Sequence, residues 1–161
     1  ALVLIDQATT ESVEAALVDL RVALELDSRF APAWEASAEI REKAGLLDKA
    51  LEYYRVATEI DPNFALAWNN RAWILATAAD AKFRDGQLAV ECATKACELT
   101  GYEKADILDT LAAAHAEASE FKQAVARANQ ALKKASEPEK KSIQARLKLY
   151  EAGKPFRQTA Q

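Results

Sequence analysis

Residues 31–64 read APAWEASAEIREKAGLLDKALEYYRVATEIDPNF, and this stretch decides the fold. It is rich in alanine, leucine, glutamate and lysine, which favour the helical conformation. Gly45 stands in the middle, where it supplies the positive φ with which many helices end. Asp61 precedes Pro62, and the residue before a proline is disfavoured in a helix. The stretch therefore predicts two helices, the first ending near Gly45 and the second near Asp61.

The alanines of the second predicted helix recur along the chain. Four segments carry a pair of alanines seven residues apart: Ala16 and Ala23, Ala50 and Ala57, Ala89 and Ala96, and Ala124 and Ala131. Successive pairs are separated by 34, 39 and 35 residues. A period of this length is typical of helical repeat proteins, in which each unit packs on its neighbours. We therefore expect an all-α chain built of stacked helix pairs.

The unit 31–64 resembles the tetratricopeptide repeat. Seven residues fall on the signature spacing of that family: Trp34, Ala38, Gly45, Ala50, Tyr54, Ala57 and Pro62. The resemblance implies a right-handed superhelix of antiparallel helix pairs, with about 3.5 repeats and a capping helix. Residues 68–102, 108–125 and 149–157 are similar to a bacterial subgroup with a lengthened repeat, which often accompanies kinase, sulfatase or other enzyme domains.

The repeat boundaries predict a single domain over residues 1–161. Its parts are a clipped repeat (1–30), a regular repeat (31–64), a repeat with an insertion (65–104), a further repeat (105–136), a capping helix (137–153) and a tail (154–161). The capping helix is predicted because Ile143, Leu147 and Tyr150 form one apolar stripe, with basic residues opposite. A polar outer surface of this kind is what the last unit of a repeat array requires.

The resemblance also implies where a partner binds, because the first helix of each pair lines a concave groove in this family. The matching positions are Glu35, Glu39, Asn69, Asn70, Trp73, Asp106, Asp109 and Thr110. The carboxylates predict an acidic groove, although charged helix faces are often only solvated. Asparagine side chains can hydrogen-bond an extended peptide backbone. We therefore expect the groove to bind a neutral or basic segment of a protein or peptide.

Trp73 has two interpretations. It lies off the packing stripe that contains Trp68, so it can be an exposed anchor at the centre of the groove. It can equally be a core residue covered by the inserted loop that contains Phe83. The sequence leaves both open.

The N-terminal residues suggest an alternative function. The clipped first repeat leaves Leu2, Leu4 and Ile5 with little to cover them. Because exposed apolar ends of repeat arrays seek partners, we consider self-association as a homodimer, or docking on another domain of the same protein.

Composition and charge argue against several other classes. A net charge of −4 and a pI of about 5.2 argue against binding to nucleic acid, because phosphate neutralisation needs a basic surface. Residues 133–157 are the exception, with eight basic and three acidic side chains. This basic end on an acidic body can steer partners or can simply be a solvated helix. The chain has no apolar run long enough to insert into a membrane.

Catalysis, a cofactor and a metal site are not expected. Cys92 and Cys97 are five residues apart, so on a helix they point to different sides and should not bridge. Neither has a metal-ligand partner at suitable spacing. The single histidine, His115, occupies a tyrosine core position of the repeat and should pack. Unbridged thiols favour a reducing compartment, and we expect a cytoplasmic protein. Because the sequence contains no Met, we expect a trimmed N-terminus.

Overall fold

A computed structural model describes residues 15–159, and the regular structure in that range is entirely helical. The first helix, α1, occupies residues 15–26 of the described range. The others are α2 (Ala31–Lys43), α3 (Leu47–Ile60), α4 (Ala65–Thr77), α5 (Gly86–Leu99), α6 (Ala105–Glu117), α7 (Phe121–Lys134) and α8 (Glu137–Glu151), with a short 3₁₀ helix at Ala81–Phe83. The predicted all-α fold class is confirmed.

The chain divides into two compact units, Ala1–Pro62 and Asn63–Gln161. Unit 1 contains the described part of α1 and the helix pair α2–α3, and unit 2 contains α4 to α8. The division falls close to the predicted repeat boundary between residues 64 and 65. The sequence, in contrast, predicts one continuous domain over the whole chain.

Buried alanines hold each helix pair together. Ala50 and Ala57 of α3 have no exposed surface, and the same is true of the equivalent pairs Ala89 and Ala96, and Ala124 and Ala131. Because alanine carries only a methyl group, two helix backbones can approach closely at these positions. Three of the four alanine pairs found in the sequence are therefore sites of close helix packing. The pair in α1, Ala16 and Ala23, is only half-buried.

Unit 2 is a two-layer arrangement of helices. The helix pairs are α4–α5 and α6–α7; α6 also packs against α4 and α8. One layer is therefore α4, α6 and α8, and the other is α5 and α7. Gly86 begins α5 against the end of α6, since a Cβ at this glycine would lie 2.6 Å from the backbone nitrogen of Ala118. This close approach positions the last turn of α6 beside the inserted loop.

Helix ends follow the local sequence signals. Gly45 ends α2 with φ of 74°, as predicted. A capping box begins α8: Glu139 accepts from the backbone N–H of Ser136 at 2.7 Å, and Ser136 in turn caps the helix N-terminus. Ile143 and Tyr150 are buried, which confirms the apolar stripe predicted for this helix.

The chain reverses direction after α8. Gly153 has φ of 67°, and the N–H of Lys154 donates to the carbonyl of Leu149 at 2.9 Å. Residues 154–158 then continue without helix and lie against α4 and α6 of the same unit. We call residues 154–158 the docked segment.

Candidate functional site

One side of α4 and one side of α6 carry most of the predicted groove residues. On α4 these are Asn69, Asn70 and Trp73, which share their side with Leu66 and Thr77. On α6 these are Asp106, Asp109 and Thr110, which share their side with Glu117. The spacings of three, four, seven and eleven residues place each set on one helix face. We call this combined surface of unit 2 the α4–α6 face.

The N-terminal half of this face contains both buried and exposed side chains. Thr110 is buried and donates to the backbone carbonyl of Asp106 at 3.1 Å. Asn69 is also buried, and its amide donates to the Asn70 side chain at 3.3 Å. Asp106 and Leu66, in contrast, are exposed. A partner would therefore meet Asp106 and Leu66 before it met the buried residues.

Asp109 is held by an arginine from α8. Arg146 approaches one carboxylate oxygen through Nη2 at 2.5 Å and donates to the other through Nε at 3.2 Å. This fork geometry orients both side chains. Burial raises the pKa of Asp109, and the Arg146 guanidinium acts in the opposite direction. The charge of Asp109 is thus balanced within the protein.

Trp73 is half-buried beside this ion pair, and its covering differs from both interpretations of the sequence. The Phe156 ring lies 5.9 Å from the Trp73 ring, between centroids. The Arg146 guanidinium lies 5.5 Å from the Trp73 centroid and 5.4 Å from the Phe156 centroid. The docked segment therefore contributes an aromatic ring to the covering of Trp73, which neither interpretation of the sequence predicted.

The docked segment makes two further contacts with the face. Arg157 forms a short ion pair with Glu117 on α6. The backbone N–H of Gln158 donates to the carbonyl of Thr77 at 2.8 Å. Thr77 is the last residue of α4, where helix carbonyls have no partner within the helix. The segment thus contacts the face through an aromatic ring, a charged group and the main chain.

Glu117 also receives an arginine from the inserted loop. Arg84 donates through Nε to its Oε1 at 3.2 Å, and through Nη1 to the carbonyls of Ala78 and Ala79 at 2.7 and 2.8 Å. The loop therefore orients the Glu117 carboxylate through Oε1, and Arg157 forms its ion pair with Oε2 of the same carboxylate.

The predicted groove residues of unit 1 lie on α2. Glu35 is buried, whereas Glu39 is exposed and pairs with Lys43 at 2.6 Å. Nearby, Glu42 accepts a hydrogen bond from the Tyr54 hydroxyl at 2.9 Å. Burial raises the pKa of Glu42, and this hydrogen bond lowers it. Glu39 and Glu42 are therefore held by residues of their own helix pair.

Unit 1 also contains a groove that the sequence did not predict, with a volume of about 500 Å³. It lies between α1 and the α2–α3 pair and is lined by Leu17, Leu24, Trp34, Arg41 and Tyr53 among others. The rings of Trp34 and Tyr53 meet edge to face at 4.9 Å, and the Arg41 guanidinium lies 4.3 Å from the Tyr53 centroid. The groove combines apolar and aromatic walls with the charged side chains of Arg21, Glu25 and Arg41.

Three residues central to the unit 2 site were missed by sequence reasoning: Arg146, Phe156 and Arg157. Arg146 belonged to the polar back of a predicted cap, and the other two to a tail without periodicity. Two signals were available: the basic charge of residues 133–157 on an acidic body, and the similarity of residues 149–157 to the bacterial subgroup. Neither signal indicated where these side chains would lie in the fold.

The residues considered for other chemistry have structural surroundings. Cys92 and Cys97 are buried and free, and burial raises the pKa of the Cys97 thiol to about 12. His115 is largely buried, with Nδ1 at 2.7 Å from the Glu120 carboxylate. Within the described range, no group of three or more His, Cys, Asp or Glu residues is arranged to hold a metal ion.

The residues proposed for self-association, Leu2, Leu4 and Ile5, lie outside the described residues. The adjacent helix α1 has exposed apolar side chains at Val18, Val22 and Leu26. As for a membrane, no helix within residues 15–159 has both the length and the apolar character needed to cross one.

The fold is similar to that of solved structures. Two crystal structures of MamA are similar at 16% identity, with TM-scores of 0.72 and 0.73; the match covers 92% of this chain and 76% and 82% of those chains. The crystal structure of PilW, a widely conserved type IV pilus biogenesis factor, is similar at 22% identity and a TM-score of 0.66, over 82% of this chain and 59% of that chain.

The sequence matches one family model. Residues 53–89 match the model of the tetratricopeptide repeat. A search of curated proteins found no match. The predicted resemblance is thus confirmed: residues 53–89 match the tetratricopeptide repeat, and the chain shares its helical fold with the solved structures.

Proposed function

We propose that this chain is a non-catalytic protein-interaction module, and that the α4–α6 face of unit 2 binds an extended segment of a partner protein. One observation carries the proposal: this face already holds a non-helical segment, the chain's own residues 154–158. The face offers an aromatic ring at Trp73, a carboxylate at Glu117 and a main-chain acceptor at Thr77. These are the groups that recognise an extended peptide.

The exposed N-terminal half of the face supplies the most direct test. Asp106 can attract a basic side chain, and Leu66 offers apolar surface, with 48% of its area exposed. Neither side chain is part of the core, so their substitution should preserve the fold. In unit 1, Glu39 is the exposed member of the predicted set and is proposed as a further contact.

The test is affinity capture from native extract by the full-length protein, quantified by mass spectrometry. Asp106→Lys should release proteins that the wild type retains. Glu98→Lys is the matched control, because Glu98 is an exposed acid on α5 in the opposite layer. If both variants retain the same proteins as the wild type, the α4–α6 face is not the binding site.

A second candidate function is self-association through the N-terminal end. The supporting observation is the row of Val18, Val22 and Leu26, which are 49%, 44% and 84% exposed at a spacing of four residues along α1. These side chains add to Leu2, Leu4 and Ile5, which the sequence offers for self-association. A dimer in light scattering that Val22→Glu converts to monomer would support this function. A monomer mass that does not change with concentration would exclude it.

A further inference from the structure

We propose that the docked segment is an internal ligand of the α4–α6 face, and that the partner presents an extended segment in which an aromatic residue is followed directly by arginine. Such a partner would displace residues 154–158. This inference rests on the proposed function and specifies the chemistry of its ligand. It is argued from three contacts and from the burial of the segment.

The aromatic contact is prepared by residues other than the segment itself. Arg146 is fixed by the fork to Asp109, and its Nη2 also donates to the Ser142 hydroxyl at 3.2 Å. Its guanidinium lies 5.5 Å from the Trp73 centroid. Trp73 and Arg146 thus form a platform that an aromatic ring can cover by stacking and cation–π attraction. Phe156 occupies it, and any accessible aromatic side chain of a partner would make the same contacts.

The charged contact selects arginine at the next position. Arg84 already holds Oε1 of Glu117, and its own position is fixed by the carbonyls of Ala78 and Ala79. Oε2 is the atom that meets Arg157. In an extended chain, adjacent side chains point to opposite sides. Phe156 contacts Trp73 of α4, and Arg157 pairs with Glu117 of α6. One extended segment that crosses from α4 to α6 can therefore make both contacts.

The third contact is independent of sequence. The N–H of Gln158 satisfies the Thr77 carbonyl at the end of α4, and every residue except proline could supply that donor. The contact favours an extended backbone but does not discriminate between side chains. Specificity is therefore assigned to the aromatic–arginine pair.

Burial indicates that the segment is exchangeable. Residues 155–158 are half-buried and Lys154 is exposed, whereas the core residues of α4 and α6 are at most 1% exposed at Ala67, Ala72, Ile74, Leu108, Leu111 and Ala112. Removal of the segment would uncover the surface of the face and leave the helix packing intact. A competing segment with the same two side chains could regain each contact that is lost.

The experiment uses the segment as its own probe. A fluorescein-labelled peptide GKPFRQT, which copies residues 153–159, is titrated with full-length protein and followed by fluorescence anisotropy. The wild type should bind weakly because its face is occupied. The variant with Phe156→Ala and Arg157→Ala should bind at least about tenfold more tightly, since occupied sites reduce the apparent affinity. The peptide GKPAAQT is the matched control and should bind neither protein.

A second measurement does not depend on any variant. In ¹⁵N-labelled wild-type protein, millimolar unlabelled GKPFRQT should shift the NMR signal of the Gln158 amide, because the displaced segment loses its hydrogen bond to the Thr77 carbonyl. The Trp73 indole should keep its signal because the Phe of the peptide replaces Phe156, and GKPAAQT should leave both signals unchanged.

The proposal is overturned if the folded double variant fails to bind GKPFRQT, or if millimolar peptide leaves the Gln158 amide signal of the wild type unchanged. Either result would make residues 154–158 a fixed part of the fold. Capture that still depends on Asp106 would then leave the proposed function standing. Loss of that dependence would remove the proposed function as well.

Discussion

Unit 1 and unit 2 hold their carboxylates in different ways. In unit 1, Glu39 pairs with Lys43 four residues away on the same helix, and Glu42 bonds to Tyr54 within the same helix pair. In unit 2, Asp109 pairs with Arg146, which is 37 residues away in sequence. Exposed local pairs contribute little to stability, whereas a buried pair is costly to break. Acids of the predicted groove set therefore have different energetic roles in the two units.

This difference indicates which acids can bind a partner without a loss of folding stability. Glu39 keeps its charge at the surface, where it is screened and available. Asp109 and its arginine are both largely buried, with side-chain exposures of 6% and 15%. An exposed acid such as Glu39 can be substituted, or can pair with a partner, with little loss of stability. A buried, paired acid such as Asp109 instead holds the side chains of the site in place. Three substitutions test this distinction.

The largest effect is expected for Arg146→Ala. The change leaves the Asp109 carboxylate buried without a counter-charge and removes the cation between Trp73 and Phe156. We expect a loss of about 3 kcal/mol from the free energy of opening of unit 2. Hydrogen exchange of the α6 amides in the whole chain measures this free energy of opening.

Lys140→Ala on the same helix is the control for that measurement. Lys140 pairs with Glu137 at 2.5 Å, but the Glu137 side chain is 85% exposed. Loss of this exposed pair should lower the free energy of opening by less than about 0.5 kcal/mol. If Arg146→Ala costs no more than this control, the buried pair does not order the face, and the contrast between the two units fails.

The fold was largely predictable from the sequence because its signals are local. The alanine pairs at 50 and 57, 89 and 96, and 124 and 131 mark helix crossings, and Gly45 marks a turn. Each is defined by spacing within one repeat unit, and the structure buries the alanines as expected. A repeat array suits such reasoning because neighbouring units make most of its contacts.

The site was predictable only in part. Helical spacing correctly grouped Asn69, Asn70 and Trp73 on one side of α4. It could not show that Phe156, from a segment without periodicity, would cover Trp73. Nor could it show that Arg146 would reach Asp109, because such a pair depends on how two distant helices pack. Periodicity identifies which residues share a face, and tertiary packing decides what lies over it.

A pH-dependent effect is expected for Glu42→Gln in unit 1. Burial raises the pKa of Glu42 above its ordinary value of 4.5, although the Tyr54 hydrogen bond opposes this. The folded state therefore keeps the proton at pH values where the unfolded chain has lost it. The contribution of Glu42 to stability is full below about pH 4.5 and falls as the pH rises towards the raised folded pKa.

Glutamine cannot titrate, so Glu42→Gln should remove this fall. The stability of the variant relative to the wild type should increase between pH 4 and pH 7, by less than the effect of Arg146→Ala. Urea unfolding at both pH values, followed by hydrogen exchange of α2 and α3 amides, measures it. A relative stability that decreases over this range would mean that hydrogen bonding outweighs burial at Glu42.

The smallest effect is expected for Glu39→Gln, which removes an exposed charge while keeping a helix-favouring side chain. Loss of the pair with Lys43 should reduce the stability of unit 1 only slightly, and less at high salt, because both side chains are exposed. Hydrogen exchange of the α2 amides at low and high salt measures this stability, with Lys43→Gln as the partner variant. If Glu39→Gln destabilises unit 1 as strongly as Arg146→Ala destabilises unit 2, Glu39 supports the fold like Asp109. If the cost is small and the same variant weakens partner capture, the charge acts in binding. Asp109 cannot be tested in this way, because removing its charge also disturbs the fold around Trp73.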